Sequence, residues 1–311
     1  MVAHTTYERS TYDIVVYLGR PGALEAIPLP GQSFEATRVR VTDAYQLASG
    51  AVRGQQTVDG SRVFAIAYDG LDYETYSILA AYHGGHNGPG PFAFLDPGRR
   101  NLLTANQSSA GVAFADTTDW TVAGTGGSIA FDSTVSERGP GSIRWTWASS
   151  TPASATLTLN PPSPNTWPGI PLPVRQHTFT VRALCGSGVS GSVTVALVAT
   201  YLNTAGGTIS STTGSTVAVT GASWQTLTVS TGAPPAGFAY LTLSLSATVA
   251  TIGAGEYINI DKPLLVEGSV ADPIWTPGTG VRPVMVASLT DVRQMYAPLW
   301  PDGTLVLQEL T

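Results

Sequence analysis

Phe179-Thr180-Val181-Arg182-Ala183 and, after a Gly- and Ser-rich break, Val193-Thr194-Val195-Ala196-Leu197 decide how this chain folds. In both, the residues facing one way are apolar and those between are mostly polar, the period of two that marks a strand with one buried face. Working outward, Ser142-Ile143-Arg144-Trp145-Thr146-Trp147 alternates in the same way. So do Leu227-Thr228-Val229, Leu241-Thr242-Leu243-Ser244-Leu245 and Tyr257-Ile258-Asn259-Ile260-Asp261. Turn clusters such as Pro161-Pro162-Ser163-Pro164-Asn165 and Gly232-Ala233-Pro234-Pro235 stand between them. About eight short strands with polar turns, and no helix of useful length, predict a β-sandwich of jelly-roll type.

This strand-rich stretch differs in texture from what surrounds it. From Asn101 to Trp275, 13 of 175 residues are charged, whereas the flanks 1–100 and 276–311 hold the other 23 in 136. Turn-rich breakers mark both junctions: Asp96-Pro97-Gly98, and Thr276-Pro277-Gly278-Thr279-Gly280. The first flank offers strands at Tyr12–Leu18, Arg38–Val41 and Val63–Tyr68. It also offers one helix, capped by Asp72, with Glu74 in its first turn. Ile78, Leu79 and Tyr82 share a face of that helix, and Gly84-Gly85 stops it. The last flank offers strands at Val284–Leu289 and Thr304–Leu310, too little to bury a core alone, so they are expected to pair back into the first sheet. The chain thus reads as all-β with one short helix. A discontinuous β-sandwich or barrel domain (1–100 plus 276–311) carries an inserted β-jelly-roll (101–275).

Several classes of function are argued against. The net charge of -6 does not suit a general nucleic-acid binder. No stretch approaches the roughly 20 apolar residues of a membrane span. The polar start, Met1 to Ser10, lacks a secretory signal, which points to synthesis in a cytoplasm. One cysteine, Cys185, excludes an internal disulfide and a thiolate metal cluster. His83 and His86 have a spacing that can hold a metal, but no third ligand is evident. No nucleophile elbow with a matching His and acid is present, and only eight acids occur from 101 to 275, so a cell-wall hydrolase is disfavoured. Aromatic residues remain. Trp145 and Trp147 alternate with Ile143 and belong to a core, as does Trp120. Trp167, in Pro164-Asn165-Thr166-Trp167-Pro168, is expected to be an exposed ring able to stack on a sugar, with Tyr201 at a strand end as a second candidate.

Two resemblances follow. Leu71 to Arg100, a helix followed by Gly and then Gly90-Pro91-Phe92-Ala93-Phe94-Leu95-Asp96-Pro97, resembles a motif of tailed-phage distal tail and minor tail proteins. Val284–Leu289 and Leu305–Leu310 are similar to the closing strands of such domains. The resemblance implies a virion structural protein of the tail tip or baseplate, made in the host cytoplasm. It implies assembly as a homo-oligomeric ring, a hexamer, against other phage tail proteins; a tail-tube subunit with a merely decorative insertion is the alternative. The middle segment resembles jelly-roll carbohydrate-binding modules. That rests on Asn101-Leu102-Leu103, Asp119-Trp120, Gly221–Leu227 with its pre-strand Trp224, Ile258–Gly268, and Asp272–Gly278. It implies a host cell-wall or surface glycan as partner. In many such modules an acid of the last strand helps to hold a structural calcium, and Asp261 has the comparable place. No other cofactor is implied.

Overall fold

The computed structural model describes residues 15–28, 33–38, 42–46, 52–56, 62–68, 72–96, 100–110, 117–124, 127–147, 154–160, 167–186, 193–221, 223–249, 255–269, 274–292 and 302–310. The chain begins with β1 (Val15–Arg20), β2 (Ala23–Pro28), β3 (Ser33–Arg38), β4 (Thr42–Gln46), β5 (Val52–Gln56) and β6 (Arg62–Tyr68). Helix α1 (Tyr73–His83) and β7 (Phe92–Leu95) follow. After a single helical turn, α2 (Ala105–Ser108), come β8 (Trp120–Gly124), β9 (Ser128–Asp132), β10 (Ser142–Thr146), β11 (Ser154–Leu159) and β12 (Ile170–Pro171). Next are β13 (His177–Cys185), β14 (Val193–Leu202), β15 (Thr208–Thr213), β16 (Val217–Val219), β17 (Gln225–Ser230), β18 (Tyr240–Val249) and β19 (Tyr257–Glu267). The chain closes with β20 (Arg282–Val292) and β21 (Asp302–Glu309).

Two compact units result. One comprises Met1–Arg20, Glu25–Pro97 and Arg282–Thr311, the other Pro21–Leu24 and Gly98–Val281. In the first, a seven-stranded sheet runs β2-β1-β7-β20-β21-β6-β3, so the two last strands of the chain lie in its middle. β20 pairs with β7, and β21 with β6, both antiparallel. The strand β7 explains this placement: all four of Phe92, Ala93, Phe94 and Leu95 are buried, which demands a central position. On β6 the alternation is visible as Phe64, Ile66 and Tyr68 facing a core that also holds Leu18, Phe94, Leu305 and Leu307. The Phe64 and Phe94 rings meet at 4.8 Å. Helix α1 starts where Asp72 accepts a hydrogen bond from the Thr75 amide at 2.7 Å, and it buries Leu79 and Tyr82. Beside the core, buried Glu309 accepts from the Arg62 amide and from the Arg282 guanidinium, linking β6, β20 and β21 through one backbone hydrogen bond and one ion pair.

The second unit is a sandwich of two curled antiparallel sheets, of jelly-roll kind. One has five strands in the order β17-β13-β19-β10-β9. The other has seven strands in all: the path β15-β14-β18-β11-β8, with β12 on β18 and β16 on β14. The inner faces are apolar. Phe179, Val181 and Ala183 of β13 and Ile143 and Trp145 of β10 meet Val195, Leu197 and Ala199 of β14 and Leu243 and Leu245 of β18, all buried. Trp145 and Trp147 stack within this core at 4.9 Å. The helical turn α2 was not expected from the sequence. Its signal is the spacing Thr104…Gln107: the Thr104 hydroxyl accepts from the Gln107 amide while the Gln107 side chain accepts from the Thr104 amide.

The outer face of the larger sheet is a field of hydroxyls. Thr121, Thr158 and Ser244 sit in register across β8, β11 and β18. Thr156 pairs with Ser246, and Thr242 with Thr200, which faces Ser211 with their hydroxyl oxygens 2.9 Å apart. Not one Asp, Glu, Lys or Arg occurs between Arg182 and Glu256.

Where the chain enters and leaves this unit, one side chain joins the two ends. Asn101 is fully buried. Its Nδ2 donates to the carbonyls of Pro263 (3.1 Å) and Thr276 (3.0 Å), and its Oδ1 accepts from the amides of Leu103 and Leu265, both at 3.2 Å. The Thr279 amide donates to the Asn101 carbonyl. Gly278 lies so close that a Cβ there would stand 2.1 Å from the Leu103 carbonyl oxygen. Segment 276–281 therefore goes with the insert.

Candidate functional site

Chemistry-bearing residues of the second unit gather on the outer face of its five-stranded sheet. Alternation puts them there: Ile258 and Ile260 point inward, so Tyr257, Asn259 and Asp261 point out, and Arg144 stands between inward Ile143 and Trp145. Register then assembles strands distant in sequence, with Arg144 opposite Asn259 on one side and Ala130 on the other.

Arg144 lies over the Tyr257 ring, its guanidinium carbon 4.1 Å from the ring centroid. The Nε and Nη2 atoms of the same guanidinium donate to Asp132 Oδ2 at 2.9 and 2.6 Å. Asp132 Oδ1 accepts from the amide and hydroxyl of Thr134, and Oδ2 also accepts from Asn259 Nδ2. Burial opposes the charge on Asp132, but the hydrogen bonds from Thr134, Asn259 and Arg144 outweigh it and hold the carboxyl well below the usual aspartate range. A saturated, buried carboxylate of this kind fixes its partner. Arg144, 34% exposed at its side chain, is the member that can meet a ligand, together with the half-buried Tyr257. Tyr257 has its place because residue 186 is glycine: a Cβ there would stand 2.4 Å from the ring.

A second charged cluster lies beside the first. Glu137, on the loop between β9 and β10, receives two hydrogen bonds from Arg182 and an ion pair from Lys262 Nζ at 3.2 Å. Burial works against its charge, yet these partners hold Glu137 below the ordinary glutamate value. Next to it on the loop, Arg138 lies over the Trp275 ring at 5.0 Å.

No family model matches this chain, and no curated protein does. Among solved structures it is similar to TmCBM61 in complex with β-1,4-galactotriose, at 17% identity and a TM-score of 0.39, over 54% of this chain and 99% of that one. It is similar to the enzymatically active domain of Bacteriophage CBA120 tailspike protein 4, at 16% identity and a TM-score of 0.38, over 54% of this chain but 21% of that one. A third is the C-terminal family 22 carbohydrate binding module of Clostridium thermocellum Xyn10B, at 21% identity and a TM-score of 0.35, over 51% and 92%. At such levels these likenesses carry no argument about what this chain binds.

Two of the residues singled out from sequence, Trp167 and Tyr201, are buried rather than exposed. Trp167 is not an exposed ring: it is 8% exposed, because the residues right after it, Ile170–Pro171, pair with β18 and draw the loop end down onto the sheet. Tyr201 is also buried, on the inner face of β14 with Val195, Leu197 and Ala199, and its hydroxyl donates to the Thr231 carbonyl at 3.0 Å. Neither offers a face to a sugar. Asp261 is 3% exposed, and its oxygens are taken by backbone amides: Glu137 and Arg138 donate to Oδ2, Lys262 to Oδ1. Burial raises its carboxyl above the usual aspartate value, against the pull of those three amides. Calcium requires about six to eight oxygen ligands. A carboxylate ringed by N–H donors, with Lys262 beside it, does not suit calcium. His83 and His86 are both exposed, and no group of three or more His, Cys, Asp or Glu residues is placed to hold a metal among the described residues. No described helix is long and apolar enough to cross a membrane.

Proposed function

We propose that this chain is a structural protein of a phage tail tip whose inserted jelly roll binds a glycan of the host surface. The glycan reading is supported by one observation: a guanidinium, Arg144, held over the Tyr257 ring, 4.1 Å from its centroid, at the outer face of the five-stranded sheet. Sugars combine apolar C–H faces with hydroxyl edges, and a flat cationic and aromatic pair serves both. Asp132 and Asn259 act as positioning residues, since they orient Arg144 rather than reach outward. The tail reading is supported by the resemblance of residues 71–100 and 284–310, and by a first unit assembled from both ends of the chain. A ring of identical subunits would present several copies of a weak glycan site, and avidity then multiplies affinity, commonly by about 10²–10⁴.

Retention of the full-length protein on purified host cell wall tests the glycan site. Tyr257→Ala and Arg144→Ala are expected to weaken retention roughly 3- to 30-fold, the scale of a partly desolvated cation–π pair. Arg144→Lys is expected to weaken it too, because an ammonium cannot lie flat on the ring. Retention unchanged in all three removes this face as the site. Native mass and negative-stain images of the full-length protein test the tail role. Closed rings of one size are expected; long hollow cylinders would instead favour a tail-tube subunit, and a monomer at all concentrations would refute ring assembly.

A further inference from the structure

The loop Ser133–Gly141 crosses the outer face of the five-stranded sheet, and its anchor is Asp261. Both Asp261 oxygens face backbone N–H groups, from Glu137 at 2.8 Å, Arg138 at 3.0 Å and Lys262 at 2.7 Å. Converging amides of this sort form a concavity for an anion. The local backbone is shaped for it: Lys262 has φ of +50°, and the pairing of β13 with β19 shifts register between Thr180 and Arg182, opposite this point. A β-bulge re-aims side chains in this manner. The side chain of the same Glu137 ends in a carboxylate that sits between Arg182 and Lys262. The neighbouring Arg138 reaches the Trp275 carbonyl at 3.4 Å, and the Trp275 indole donates to the carbonyls of Ser108 and Pro263.

We infer that this jelly roll fastens its loop to its last strand without a divalent cation, the Glu137–Arg182–Lys262 cluster and the amides on Asp261 doing together what calcium would do in that place. Positive side chains flank the acids, so the charge a metal would supply is already present in the chain. The inference stands apart from the glycan reading, since it concerns what holds the loop and not what the sheet binds.

In the full-length protein, unfolding followed by Trp fluorescence is expected to show the same midpoint in excess EGTA and in millimolar calcium chloride. Titration calorimetry with calcium chloride is expected to show no binding. Glu137→Gln is expected to lower the midpoint by roughly 2–6 °C, equally in both media. Asp261→Asn is expected to lower it as well. Should that variant fail to fold, Glu137→Gln carries the test alone, because Glu137 is 21% exposed at its side chain and tolerates substitution better. A wild-type midpoint that climbs with calcium concentration, as a ligand of the native state demands, overturns the inference. A Glu137→Gln midpoint equal to wild type overturns the part given to the ion cluster.

Discussion

Replacing Asn101 by alanine removes four hydrogen bonds from the point where the inserted unit begins and ends. Two are donated to the carbonyls of Pro263 and Thr276, and two are accepted from the amides of Leu103 and Leu265. Each such bond contributes about 1 kcal/mol net, and a buried group left without a partner costs about 1–3 kcal/mol. The Pro263 carbonyl keeps a second donor in the Trp275 indole, so it is not orphaned. The remaining three groups set the expected loss at about 3 kcal/mol, or roughly 6–12 °C in the midpoint for a unit of this size. Trp fluorescence reports on the right unit, since six of the seven tryptophans lie between 101 and 275. Asn101→Asp is the sharper probe. It keeps the acceptor for Leu103 and Leu265 but turns an oxygen toward two carbonyl oxygens, so it too is expected to destabilise. Ser128→Ala, at an exposed position on β9, should stay within about 0.5 kcal/mol. If Asn101→Ala behaves like Ser128→Ala, the joining of the two ends by this side chain is refuted.

Two further outcomes are expected. Trp167→Ala should destabilise the second unit by about 3–5 kcal/mol in urea unfolding, as a buried large-to-small change does, and a loss below 1 kcal/mol would show the ring to be dispensable. The stability of this unit should also fall as pH drops. Asp132 and Glu137 both have folded values below their unfolded ones, so their contribution is complete above the unfolded range, about 4, and is lost as pH falls toward the folded values. Asp261, raised by burial, works in the opposite sense: its contribution is present below the unfolded value and is lost as pH rises through the folded one. Thermal scans from pH 6 to pH 3 should show the decline, and Asp132→Asn should flatten it.

Much of the sandwich was legible because its strands are local patterns. The alternations at 179–183, 193–197, 241–245 and 257–261 fall within β13, β14, β18 and β19, and that at 142–147 covers β10 and the residue after it. The expected strands at 284–289 and 304–310 overlap β20 and β21, and the helix begins where Asp72 caps it. Tyr201 was legible too, since it continues the inward series Val195, Leu197, Ala199. Its place at a strand end hid that. Trp167 was not legible, because a proline-rich loop looks exposed until one knows that Ile170–Pro171 pairs with β18, about 70 residues on. The Arg144–Tyr257 pair depends on the register of strands more than a hundred residues apart, which no local pattern encodes. Asp261 faces outward by alternation and is nevertheless covered, because the Glu137 loop folds over it.

The hydroxyl field on the larger sheet sets how its contacts respond to the medium. With no Asp, Glu, Lys, Arg or His from 183 to 255, the strands β14 to β18 bring no full charge to that surface at neutral pH. Attraction between charged surfaces fades over about 8 Å at physiological ionic strength. Threonine and serine contacts have no such dependence. Contacts made through this face have little charge for salt to screen.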